Sequence, residues 1–314
     1  MPSPAPPPAA TLVVPAGPAQ RLDQFLAAHF DPHSRRRARE VIAAGAVQVN
    51  GRLARKSDVL QPGDSVSLRT GMPGPAELTP QPELALAVLF QDDCLIAVDK
   101  PAGMPSVALR STDRDTLANA LVGHLPELGA AGRNPLEAGL VHRLDSATSG
   151  VVLAARTRTA WLDLREQFDA RAVHKLYSAV VAGDVARAGT IDTPIAHHPR
   201  RRRLMVACPN ADQASTWQAQ PAITHYRPLE RFGTATLLAV TIATGVRHQI
   251  RVHLAALGHA IHGDAPYGSA RPGRLMLHAM RLRVRHPVQR GEVTISCPPP
   301  AEFAAALDRL RTAG

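Results

Sequence analysis

The stretch "GMPGPAELTPQP", residues 71–82, carries four prolines in twelve positions. Proline fixes φ and has no N–H for a helix or a sheet ladder, so neither element crosses such a stretch. A chain of 314 residues broken there is expected to fold as two units, the second long enough for a substantial core. Residues 1–18 are rich in Pro and Ala and read as a disordered tail. The expected organisation is a tail (1–18), a small module (19–72), a linker (73–83) and a large domain (84–314).

In the small module, "RLDQFLAAHF" places Leu22, Phe25, Leu26 and Phe30 on one helical face. Ser34 is positioned to cap a second helix running to Ala44, which Gly45 ends. "AVQVNGRLA" and "QPGDSVSL" then read as strands with turns.

The large domain alternates short apolar runs with turns. "LALAVLFQDDCLIAVDKPAG" reads as strand, turn, strand and loop, and "HKLYSAVVAGDV" as a further strand. "DTLANALVGHLPEL" is helical in period, and "TRTAWLDLREQFDAR" is an amphipathic helix with Trp161, Leu164 and Phe168 inward. Many strands lie too close in sequence for helical crossovers. The expected fold class is α+β, on a mixed, mainly antiparallel sheet.

The formal charge of +10 points to a polyanionic partner, because each phosphate neutralised releases a counterion. Arginine supplies nearly all of it; the only lysines are Lys56, Lys100 and Lys175. "HHPRRRRLMV", residues 197–206, reads as a basic loop that either grips such a partner or is a solvated face. Cys94, Cys208 and Cys297 are scattered, which argues against a disulfide framework and a zinc site, and the His248, His253, His259 and His262 spacing matches no zinc arrangement. No apolar run approaches the roughly 20 residues of a membrane span, and the first residues lack a secretory pattern, so a cytoplasmic protein is expected.

"GLVHRLDSATSG", residues 139–150, sets Asp145 in a loop between two apparent strands. A shielded carboxylate needs a cation or several donors. A structural ion pair or a turn-capping Asp accounts for the loop taken alone. "TGVRHQIRVHLAALGHAIHGDAPYG", residues 244–268, supplies the partner. Read as a strand, its first part puts Arg247, Gln249 and Arg251 on one face, with His248 and Ile250 opposite, and makes Arg251 a counter-ion for Asp145.

The small module resembles the alpha-L RNA-binding module shared by a ribosomal small-subunit protein and many RNA-modifying enzymes, through "RLDQFL", "SRRRAREVI", "GAVQVNG" and "GD". That resemblance implies a small α/β RNA-binding domain whose Arg35, Arg36, Arg37 and Arg39 meet phosphates. "HRLDSATSG", "KLYSAVVAG" and "HQIRVHLAALGHAIHGD", with "VDKPAG" and "LMLHAMRLRVRHP", resemble the RluA-type pseudouridine synthases over nearly all of residues 84–300. This implies the pseudouridine synthase fold and isomerisation of uridine in RNA. The substrate implied is large-subunit ribosomal RNA, with transfer RNA as the alternative.

On that resemblance Asp145 is the catalytic aspartate, Tyr177 the tyrosine that stacks on the target uracil near the proton transfers, and Arg251 the partner of the aspartate. Arg143 approaches the RNA beside the emptied base position, with Lys175 and Arg247 as further RNA contacts. The family commonly has Arg directly after the "TG" turn; here Val246 stands there and Arg247 follows. Isomerisation involves no redox change, so no cofactor and no metal are expected, and the protein is expected to be a monomer. A nucleoside-cleaving hydrolase using the same aspartate and a non-catalytic ribosome-assembly factor are the readings from other classes.

Overall fold

The computed structural model describes residues 11–29, 35–68, 77–201, 203–268 and 273–313. Its contacts divide the chain into Met1–Glu77 and Leu78–Gly314.

The first unit contains β1 (Thr11–Val13), β2 (Gln20–Arg21), α1 (Leu22–His29), α2 (Arg35–Ala43), β3 (Val47–Val49), β4 (Arg52–Leu53), β5 (Val59–Leu60) and β6 (Ser65–Leu68). Four strands form a sheet in the order β1-β6-β3-β4, and β2 pairs with β5. Leu22, Phe25 and Leu26 of α1 pack with Val41 and Ile42 of α2 against Val47 and Val66, as the helical spacing predicts. Phe30 and Ser34 lie outside the described residues. The tail reading of residues 1–18 needs correction: Thr11–Val13 pairs with β6, and Val14 enters the core. An apolar run this short, set among prolines, shows no period from which a strand can be read.

The second unit begins at Leu78, inside the expected linker. Gln81 donates its backbone N–H to Asn119 O at 3.1 Å and accepts the Asp115 N–H at 2.7 Å. Its elements are β7 (Ala87–Gln91), β8 (Leu95–Lys100), α3 (Leu117–His124), α4 (Leu128–Ala131), β9 (Ser149–Ala155), α5 (Arg158–Asp169), β10 (His174–Ala182), β11 (Gly189–Asp192), β12 (Ile195–His197), β13 (Met205–Ala207), α6 (Ala211–Thr216), β14 (Ile223–Arg231), β15 (Ala235–Ile242), α7 (Gln249–Ala256), β16 (Leu277–Arg285), β17 (Glu292–Ser296) and α8 (Ala301–Ala313).

Nine strands make one sheet, ordered β11-β14-β15-β10-β16-β9-β8-β7 with β17 also on β16. All pairings are antiparallel except β16 with β9, which meet in parallel at His278–Ser149 and Ala279–Gly150. This is the mixed, mainly antiparallel α+β sheet expected from the sequence. β8 is buried at five of its six residues, and β9 is buried along its whole length.

Two expected strands take other forms. Leu140 makes only an isolated bridge to Ala154, because the carbonyls of Leu140 and Val141 accept from Trp161 Nε1 at 3.2 Å and Arg165 Nη1 at 2.8 Å on α5. "QIRVHLAA" is the helix α7, so the strand alternation proposed for residues 247–251 is wrong. Six consecutive residues, Gln249 to Leu254, are buried, and a helix covered all round has no polar stripe to reveal its period.

Candidate active site

The Asp145 loop is pinned at both ends by glycine. Gly139 has φ +67°, and a Cβ there would sit 2.3 Å from Ala155 O. Gly150 has φ +117°, and a Cβ there would sit 2.4 Å from Ala279 O, where β9 meets β16. Only glycine allows both the conformation and the approach. Between them, Thr148 N donates to Asp145 O at 3.0 Å and closes a turn.

The "VDKPAGMPS" segment grips this loop from behind. Gly103 N donates to Ser146 O at 2.7 Å, and Ser106 Oγ donates to Leu144 O at 2.7 Å. Lys100, fully buried at the end of β8, donates from Nζ to Pro101 O and Met104 O at 2.8 Å and to Ser146 O at 3.1 Å. Burial pushes its pKa down to about 8, against the pull of Asp145 and Asp99. The residues on both sides of Asp145 are thus fixed by hydrogen bonds, and its carboxylate remains partly exposed, at 24%.

Arg251 does meet Asp145, from α7: Nη1 donates to Asp145 Oδ2 at 3.1 Å. Its Nε and Nη2 both donate, at 2.8 Å, to the buried carboxylate of Asp264. Burial alone would lower the Arg251 pKa; Asp264 and then Asp145 reverse this and hold it above the ordinary value. The ring of Tyr267 covers the guanidinium, 5.0 Å from its carbon.

His248 precedes α7 with left-handed φ 55°. Tyr267 Oη accepts the Met205 N–H at 2.9 Å and shares a 2.7 Å bond with His248 Nδ1. The other ring nitrogen, Nε2, lies 3.8 Å from Asp145 Oδ1. Burial lowers the His248 pKa, against the pull of Asp145 and with help from Arg251 and Arg247.

Tyr177 lies on β10, where the register with β16 shifts between Leu176 and Tyr177. Such a bulge re-aims a side chain. The residue is buried, its hydroxyl makes no hydrogen bond to the described residues, and burial together with the Asp145 charge raises its pKa above the usual tyrosine value. It is a neutral phenol at physiological pH.

The basic residues are less alike in structure than in sequence. Arg143 is exposed, with no hydrogen bond or ion pair to the described residues. Arg247 is exposed and donates from Nη2 to Arg203 O at 3.1 Å. The Arg-rich stretch links β12 and β13, a hairpin whose Ile195 and Met205 pack with Val252 of α7 and Tyr267. Lys175 is half-buried instead, its Nζ donating to Thr244 O at 3.3 Å, and burial lowers its pKa to about 8. In the first unit, Arg39 donates from Nε to buried Asp23 at 2.9 Å, while the side chains of Arg35, Arg36 and Arg37 at the start of α2 lie outside the described residues.

Among the described residues, Asp92, Cys94 and His286 are close enough to share an ion. The ligand atoms of Asp92 and His286 are already used: His286 Nε2 bonds Asp92 at 2.8 Å, His286 Nδ1 accepts from Val288 N and Gln289 N, and Asp92 Oδ1 accepts from Cys94 N and Leu95 N. The group staples two turns together. Among the described residues no helix is long and apolar enough to cross a membrane.

Of the residues expected from the sequence, the structure brings Asp145 and Arg251 into contact and sets Tyr177 within reach of the Asp145 charge; Lys100, Ser106, Asp264 and the His248–Tyr267 pair were not singled out. One signal was present: a lysine ending the apolar run "LIAV" and followed by proline has no obvious solvent face. Asp264 gave none, since a "GD" pair reads as a turn.

The α+β fold agrees with the comparisons. The sequence profile described as RNA pseudouridylate synthase matches residues 94–256, and that described as S4 domain matches residues 20–66. The ribosomal large subunit pseudouridine synthase D of Xanthomonas campestris pv. campestris is 38% identical over 308 residues, covering 93% of this chain and 89% of that protein. The protein of the same name from Nitrosomonas europaea is 36% identical over 303 residues, covering 93% and 84%. Human RNA pseudouridylate synthase domain containing 4 has a similar structure, with TM-score 0.56 and 27% identity over 72% of this chain and 93% of that one. The chain belongs to the RNA pseudouridylate synthase family, and its first unit carries an S4 domain.

Proposed function

We propose that this protein isomerises specific uridines of large-subunit ribosomal RNA to pseudouridine, in the cytoplasm and as a monomer. The observation that carries the reading is a partly exposed Asp145, bonded by Arg251 and within electrostatic reach of the Tyr177 phenol. Relatives named for the large ribosomal subunit, together with the S4 domain, support the choice of RNA.

The reaction breaks the bond from the anomeric carbon to nitrogen 1, turns the uracil and joins carbon 5 to the sugar. The proton lost from carbon 5 is balanced by the one gained at nitrogen 1. Asp145 either attacks the anomeric carbon or removes a sugar proton to give a glycal; both routes return the carboxylate unchanged. Arg251 holds it aimed through the Nη1 hydrogen bond, and a site shielded from water protects the intermediate from hydrolysis. Tyr177 offers a flat platform, with stacking worth roughly 1–3 kcal/mol per base. Extruding the uridine costs about a few kcal/mol, which Arg143, Arg247 and the arginines of the hairpin offset on the phosphates.

The test is pseudouridine mapping by carbodiimide-dependent primer extension, in cells lacking the protein and in cells carrying only Asp145→Asn. Loss of the same large-subunit signals in both strains is expected. Loss confined to transfer RNA would move the substrate, and retention of every signal in both strains would remove the catalytic reading.

A further inference from the structure

We propose that Asp264 is a positioning residue for the isomerisation: its buried carboxylate holds Arg251 from the side, leaving only Nη1 to reach Asp145. The assignment rests on the functional reading above. Asp264 is 1% exposed, and both its oxygens are bonded to Arg251, at 2.8 Å each. This is the strong, geometrically specific form of carboxylate–guanidinium pairing. The contact to Asp145 is a single, longer bond of 3.1 Å.

Two consequences follow. The first is geometric. A guanidinium is planar, so fixing Nε and Nη2 fixes the direction of Nη1, and Tyr267 over the ring face prevents tilting. The second is electrostatic. One arginine shared by two carboxylates leaves the group with a net negative charge, whereas an arginine free to turn would pair with Asp145 through both oxygens and consume the electron density the reaction uses. Asp264 thus keeps Asp145 paired enough to stay in place and free enough to react.

The charged and titratable groups around Asp145 are Arg251 and His248 at α7, Lys100 at the end of β8, Tyr177 on β10, and Tyr267 with Asp264 after α7. Substituting Asp264 changes one of these charges and frees Arg251 to turn toward Asp145. The measurement is steady-state and single-turnover isomerisation of a ribosomal RNA transcript by purified full-length protein. Asp264→Asn is expected to lower kcat by roughly tenfold or more, the scale on which small misplacements act, with KM within about twofold of wild type. A role in folding alone would lower the yield of active protein and leave kcat per folded molecule in place; that result overturns the proposal. Asp264→Glu keeps the charge and moves it by one methylene, and is read if Asp264→Asn gives no folded protein. Its kcat must fall at unchanged KM, and a wild-type kcat in Asp264→Glu overturns the proposal. A wild-type protein that forms no pseudouridine in any ribosomal RNA would remove the functional reading, and this assignment with it.

Discussion

Lys100 Nζ reaches 3.1 Å to the carbonyl of Ser146, the residue that follows Asp145. Two further carbonyls, of Pro101 and Met104, complete its shell. A lysine with no exposed surface therefore acts as a clip between the end of β8 and the reactive loop. Lys100→Met matches the stem but leaves the carbonyls of Pro101 and Met104 with no donor, while Ser146 O keeps only the Gly103 N–H. The expected result is a loss of about 3 kcal/mol in unfolding free energy and a lower kcat, read by urea melts and isomerisation assays. A variant with wild-type stability and kcat would show that the clip does nothing.

The same lysine illustrates what could be read from sequence and what could not. Asp145, Tyr177 and Arg251 stand within short ordered motifs, so the residues were legible before their geometry. The pairing of Arg251 with Asp145 was also foreseen, though from a strand that turned out to be α7. It survived because a counter-ion is required whatever element supplies it. Lys100 and Asp264 were not legible, because both act through partners 46 and 13 positions away in sequence. Neither separation follows from a local period. β1 was missed for a different reason: its stability comes from pairing with β6 at the far end of the module.

Gly150 lets β9 pass close to β16 as the chain leaves the Asp145 loop. In Gly150→Ala the new carbon would meet Ala279 O at 2.4 Å and Ala279 N at 2.6 Å, at a φ of +117° that alanine disfavours. The strands must part. A cost of at least about 2 kcal/mol is expected, from strain and the lost contact, with a lower melting temperature in thermal unfolding. An unchanged melting temperature would mean that the sheet yields here without cost.

Tyr267 joins the hairpin to the site through one hydroxyl, accepting from Met205 N and bonded to His248 Nδ1. Tyr267→Phe keeps the ring over Arg251 and removes only that link. Met205 N then loses its partner, at roughly 1–2 kcal/mol, and His248 Nδ1 loses its bond to the hydroxyl. The chemical shifts of the His248 ring nitrogens should change, with a reduced kcat. Unchanged ring-nitrogen shifts in the variant would mean that the hydroxyl does not hold the imidazole.

His142, three residues before Asp145, makes stability depend on pH. Its Nε2 accepts the Leu153 N–H at 3.1 Å, and its ring stacks on Phe168 with centroids 5.0 Å apart. Burial, and then the charges of Lys175 and Arg165, push its pKa down to about 3 from an ordinary 6.5. Between these values the unfolded chain takes up a proton that the folded one refuses, so the unfolded state binds more protons and stability rises with pH. This contribution is full above about pH 6.5 and is lost as the pH falls toward 3. Its size at pH 5 is of order 1–2 kcal/mol. His142→Gln retains an acceptor for Leu153 and cannot be protonated in this range. Buried His253 and His278, whose values burial also lowers, remain in both proteins and cancel in the comparison. Urea unfolding at pH 7 and pH 5 should therefore show wild type losing more stability than His142→Gln by that amount, while parallel losses would mean that His142 already accepts a proton in the fold.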